Sequence, residues 1–101
     1  MNADILLISF NASPALEETL VDWLLEFDPE QRFTSYTIDE HNCDHSLLSL
    51  AEQVTGRQKQ IHFELLIAKD RYAGFMDKFR MDFSRSGIHY RVVPALSQGR
   101  F

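Results

Sequence analysis

Gln60-Ile61-His62-Phe63-Glu64-Leu65-Leu66-Ile67-Ala68 decides how this chain is read. Ile61, Phe63, Leu65 and Ile67 recur at every second position, and His62, Glu64 and Leu66 fall between them. A period of two marks a strand with one face in a core. Upstream, Arg32 to Glu40 is rich in Phe, Thr, Tyr and Ile and reads as a second strand. Ile5 to Phe10 is a continuous apolar run, which suits a strand covered on both faces. Between these two, Ser13-Pro14 has the form of a helix start, with Ser13 as N-cap and Pro14 at the first helical position. Leu16, Leu20, Trp23, Leu24 and Phe27 then share one helical face, and Asp28-Pro29 ends the helix. Downstream, Asp70 is placed to cap a second helix with the stripe Tyr72, Phe75, Met76, Phe79 and Phe83. Gly87 is a suitable residue just past its end. Ile88 to Val93 reads as the last strand, and Pro94 disfavours a central place in the sheet.

The order is strand, helix, strand, strand, helix, strand. Two right-handed crossovers sharing one sheet give an α+β, ferredoxin-like βαββαβ domain: a four-stranded antiparallel sheet with two helices on one face. One such domain accounts for all 101 residues. The other sheet face is left without a cover. Ile5 and Leu7, or Leu6 and Ile8, together with Leu66 and Val93, cannot all point at the helices, and an exposed apolar face of this kind predicts self-association.

Composition narrows the function classes. Fifteen acidic residues against ten basic ones give a net charge of −5, which argues against nucleic acid and anionic membranes as partners. A single cysteine cannot form an internal disulfide, and no apolar run approaches the roughly 20 residues of a membrane span. Neither a signal-peptide pattern nor a membrane anchor is evident, and the expected location is the cytoplasm.

The segment from 41 to 60 is far longer than a hairpin of about 2–5 residues requires, so it is the candidate functional loop. His41, Cys43 and His45 place three nitrogen and sulfur donors within five residues, a set whose softness suits zinc or copper. The spacing fits no zinc-finger pattern, and a solvated polar loop explains the same letters. Gly56, Arg57 and Lys59 form a small basic cluster suited to a phosphate or carboxylate, with surface charge at a strand entrance as the plainer account. Leu47, Leu50 and Val54 lie at helical spacing with Ser46 as a cap, either packing on the domain or facing a target protein. His62 with Glu64, and His89 with Arg91, sit at i and i+2 on strand faces. That suits acid–base work or a polar interface. No nucleophile or triad accompanies them, so an enzyme is not expected.

Ser13-Pro14-Ala15-Leu16-Glu17-Glu18, Thr34-Ser35-Tyr36-Thr37, Lys59 to Ile67, and Val92-Val93-Pro94-Ala95-Leu96-Ser97-Gln98-Gly99-Arg100 together resemble the PII-like proteins. These are relatives of nitrogen-regulatory PII and of the trimeric divalent-cation tolerance proteins. Leu48 to Arg57 is similar to an uncharacterised PII-like subgroup often encoded near heavy-metal efflux pumps. The resemblance implies a homotrimer whose long T-loop, here 41–60, signals a small-ligand or metal state to a partner, such as a membrane efflux or transport protein. It also implies an alternative, a metal-binding tolerance protein. ATP is not an expected ligand, because Ser84-Arg85-Ser86-Gly87 offers little of the glycine-bearing loop that PII uses, and Gly56-Arg57-Gln58-Lys59 stands at the wrong end of the T-loop.

Overall fold

The computed structural model describes residues 4–41, 49–55 and 57–101, without the side chains of 53–55. Strand β1 (Ile5–Ala12) leads through a short 3₁₀ turn, Pro14–Leu16, into helix α1 (Glu17–Phe27). Strand β2 (Thr34–His41), a short helix α2 (Leu50–Thr55) and strand β3 (Arg57–Ala68) follow. Helix α3 (Lys69–Phe83) and strand β4 (His89–Pro94) close the chain. The sheet order is β2-β3-β1-β4, all antiparallel, which is the ferredoxin-like arrangement expected from the sequence.

The two-residue period places the core as read. Ile61, Phe63, Leu65 and Ile67 of β3 are buried, and Ile8, Phe10 and Ala12 of β1 join them on the helix side. Leu20 and Leu24 of α1 and Phe75, Met76 and Phe79 of α3 complete the layer. Phe10 stacks on Phe63 at 5.0 Å and meets Phe79 at 5.0 Å, so one aromatic column joins β1, β3 and α3. Trp23 is packed edge-on against Phe75, Phe79 and Phe83, and its indole N–H donates to Asp82 Oδ2 at 2.7 Å, tying α1 to α3. Pro94 is tolerated because β4 is an edge strand.

Four local expectations are corrected. The turn after β1 does use Ser13, whose Oγ accepts from the Ala15 N–H, but it makes a 3₁₀ turn before α1 begins at Glu17. Asp70 does not cap α3: Ala68 occupies the cap position without a side-chain bond, and Asp70 lies inside the first turn near the positive end of the dipole. The helix ends at Phe83, the last residue of its apolar stripe. The chain then turns with Arg85 at φ 63° as well as Gly87 at φ 80°.

The fourth correction concerns the connection. The expected loop 41–60 is shorter, because β2 runs through His41 and β3 already begins at Arg57. On β3, only Ile61–Ala68 pair with β1, so Arg57–Gln60 and Ile38–His41 extend beyond the sheet as a two-stranded arm. At about 3.4 Å per residue, the arm reaches roughly 13 Å past β1.

Candidate functional site

The arm and the uncovered sheet face carry the chemistry. A lone two-stranded ribbon is marginal in water, so something must hold this one. Asp39 faces Lys59 directly across the arm, and the Lys59 ammonium lies 2.7 Å from its carboxylate. Arg57 approaches the same carboxylate at 3.6 Å. The Lys59 hydrogen bond, reinforced by the charge of Arg57, holds the Asp39 carboxyl below the usual carboxylate range. The basic cluster expected to meet a ligand is thus engaged, in its described members, in closing the arm. Gly56 lies outside the described residues.

At the tip, α2 opens with a reciprocal cap. Ser49 Oγ accepts from the Glu52 N–H at 3.2 Å, and Glu52 Oε1 accepts from the Ser49 N–H at 3.0 Å. The Ser49-x-x-Glu52 spacing was a readable signal that the sequence reading missed in naming Ser46 as the cap, and Ser46 lies outside the described residues. The other oxygen of Glu52 accepts from the Lys59 backbone N–H at 3.3 Å, fastening the short helix to β3. The Ser49 amide holds the Glu52 carboxyl below its usual range, with the Lys59 amide adding to the effect. His41 ends β2, exposed and opposite Arg57. Cys43 and His45, like Leu47 and the side chain of Val54, lie outside the described residues. Among the described residues no three His, Cys, Asp or Glu groups converge for a metal.

On the sheet face away from the helices, strand register builds three cross-strand rows. Tyr36, His62, Asn11 and His89 form one; Thr34, Glu64, Ser9 and Arg91 the next; Leu66, Leu7 and Val93 the third. The first two rows are polar. His62 Nδ1 lies 2.6 Å from Asn11 Oδ1, and His62 Nε2 lies 2.9 Å from Glu64 Oε1, while the Tyr36 hydroxyl donates to the same carboxylate oxygen at 3.5 Å. Desolvation and the neighbouring Glu64 charge raise the Tyr36 phenol above its ordinary value. The pairs His62–Glu64 and His89–Arg91 noted in the sequence therefore meet on one face, joined by Ser9 and Asn11 of β1. Asn11 escaped notice because the strand was read as ending at Phe10, whereas β1 continues to Ala12, and Ser9 was passed over inside a run read as apolar.

The third row is apolar, and Ile5 lies beyond it. A groove of about 720 Å³ runs over this half of the face, lined by Ile5, Leu7, Leu66 and Val93 and bordered by Gln31 and the tail from Ala95 to Gln98. Leu66 and Val93 each remain 38% exposed. The Gln31 amide donates to the Leu66 carbonyl at 2.7 Å, supplying a partner where β2 does not reach.

These features define a ferredoxin-like α+β domain with one open sheet face and a projecting β2–β3 arm. The family model described as "Protein of unknown function (DUF3240)" matches residues 2–101, and the chain belongs to that family. The crystal structure of a DUF3240 family protein from Shewanella baltica OS155 superposes at TM-score 0.76 with 16% identity, covering 100% of this chain and 99% of that one. A functionally unknown protein from Pediococcus pentosaceus ATCC 25745 superposes at TM-score 0.65 with 13% identity, covering 99% and 100% respectively. At these identities the likeness is one of fold. No curated protein matches the chain. Among the described residues no helix is long and apolar enough to cross a membrane.

Proposed function

We propose that this protein is a non-enzymatic regulatory binding module of the PII-like kind. It assembles as a homotrimer through the apolar half of the open sheet face and acts in the cytoplasm. It binds a small ligand or metal and presents its β2–β3 connection to a partner protein, such as a membrane transport or efflux protein. The observation that carries this reading is the arm: two strands leave the sheet, are clamped by Asp39 and Glu52, and carry the short helix α2. A rigid stalk bearing a long connection suits presentation to another molecule better than it suits stability, since a two-residue turn would close the same hairpin. The uncovered Ile5, Leu7, Leu66 and Val93 support assembly, because an apolar face of this form is commonly buried by a partner.

The test replaces residues 42–56 with Asn-Gly, which continues from the terminal His41–Arg57 pair. Sedimentation equilibrium and a ligand-stability screen with Zn²⁺ and Cu²⁺ compare it with the full chain. Both proteins are expected to sediment as trimers, with only the full chain stabilised by ligand. A monomer at micromolar concentration, or ligand responses that survive the replacement, would overturn the reading.

A further inference from the structure

The polar half of the open face holds a second cavity, of about 200 Å³, lined by Ser9, Asn11, His62, His89 and Arg91 among others. We infer that it is a binding site for a small oxyanion, of the phosphate or carboxylate class. The inference rests on what faces the cavity. Arg91 offers a guanidinium with five N–H donors, His89 an imidazole and Ser9 a hydroxyl. Neither Arg91 nor His89 makes an ion pair among the described residues, whereas Arg71 is paired with Asp28 and Lys59 with Asp39. Among the described residues no carboxylate lines the cavity. The closest in register is Glu64, separated from Arg91 by Ser9, and it is already engaged by His62 Nε2 and the Tyr36 hydroxyl.

His62 sharpens the argument. Both of its ring nitrogens lie against oxygens, Asn11 Oδ1 at 2.6 Å and Glu64 Oε1 at 2.9 Å. The ring is thereby fixed at the cavity wall between β1 and its own strand. Asn11 makes no other side-chain hydrogen bond among the described residues, so one end of its amide is unpaired. A guanidinium, two imidazoles, an amide and a hydroxyl line one small space in a chain whose net charge is −5. Charge-assisted donors of this kind recognise phosphate and carboxylate oxygens. A volume of about 200 Å³ is room for roughly six or seven waters, enough for one small anion and a few retained waters.

The site is built from β1, β3 and β4 alone. It requires neither trimer assembly nor residues 42–56, so the Asn-Gly replacement should keep it, and its failure is separable from that of the regulatory reading. The experiment follows amide chemical shifts while inorganic phosphate or succinate is added at constant ionic strength. It compares the wild type with Arg91→Gln, His89→Gln and the distant control Arg85→Gln. The expected result is saturable shifts centred on Ser9, Asn11, His62 and Arg91. Arg91→Gln should weaken affinity at least tenfold, His89→Gln should weaken it less, and Arg85→Gln should leave it unchanged. Preference for phosphate or for succinate tells a tetrahedral from a planar anion. Shifts that fail to saturate with both anions, or equal losses in Arg91→Gln and Arg85→Gln, would overturn the assignment as charge screening.

Discussion

Leu65 and Leu66 are neighbours on β3 that face opposite sides of the sheet, so they make a matched test of the fold and of assembly. Leu65 is 2% exposed in the helix-side core and Leu66 is 38% exposed on the open face. Leu65→Ala leaves a cavity under two helices and should cost about 3 kcal/mol, near the lower end of the range for buried leucines. At roughly 4–8 °C per kcal/mol for a domain of this size, Tm falls by about 12–24 °C. Leu66→Ala removes the same three carbons, worth about 2.4 kcal/mol if fully buried at ~0.8 each. About three-fifths of Leu66 is covered within the subunit, and the open site leaves no enclosed void. The cost to an isolated subunit is therefore about 1.5 kcal/mol. Under the proposed assembly this face would bury the remainder, so the Leu66→Ala penalty should grow with protein concentration while the Leu65→Ala penalty stays constant. Thermal unfolding across a wide concentration series reads both, and Leu66→Arg should abolish the concentration dependence. Equal losses for the two alanine variants at the lowest concentration would refute the assignment of faces. A wild-type Tm independent of concentration would refute assembly through Leu66.

Acid should loosen the arm before the core. The folded-state carboxyl of Asp39 is held below the usual range, chiefly by Lys59, so its contribution is complete above the ordinary carboxylate pKa and is lost as pH falls through the lowered value. Amide protection factors of Ile38–His41 and Arg57–Gln60, taken relative to intrinsic exchange at each pH, should therefore fall on acidification more than those of Ile61–Ala68, and Asp39→Asn should remove the difference; a uniform fall would count against the clamp. Cys43→Ser and a His41→Ala/His45→Ala double variant should each lose Zn²⁺ or Cu(I) affinity at least tenfold, about 1.4 kcal/mol, as read by competition titration. Equal binding by all three proteins, or none, removes the metal assignment. ATP should bind weakly or not at all, since the Ser84–Gly87 turn is spent on its own closure through the Ser86 N–H to the Phe83 carbonyl and the Ile88 N–H to Ser86 Oγ. A micromolar affinity by calorimetry would contradict that.

The fold was legible where burial imposes a period. Ile61, Phe63, Leu65 and Ile67 alternate because helices cover one face of β3, and the α3 stripe repeats because its other side meets water. The arm was not legible, for the complementary reason. Ile38–His41 and Arg57–Gln60 extend past β1. Without a core to face, Gln58, Lys59 and Gln60 are polar on both sides and leave no period to read. Their pairing depends on contacts between segments far apart in sequence, which local propensity does not encode. The same limit hid the polar rows. His62, Glu64, His89 and Arg91 were each readable as strand-face residues, but bringing His62 and His89 to either side of Asn11 requires the register of three strands at once.

That register gives the open face its division of labour. Leu66, Leu7 and Val93 form a row that gains from being dried, whereas Arg91 and His89, one and two rows away, would each have to be paired before burial was tolerable. A second subunit would therefore fit the apolar row, and the polar rows would suit water or an anion that brings the missing charge. The polar rows also adjoin the arm. His62 pairs with Tyr36, and two residues further along, Gln60 pairs with Ile38, the first pair beyond the end of β1. The arm, the polar rows and the apolar row thus follow one another along one side of β3, with the core on its other side. Its alternation decides which side each residue serves, and the point where β1 stops decides where the arm begins.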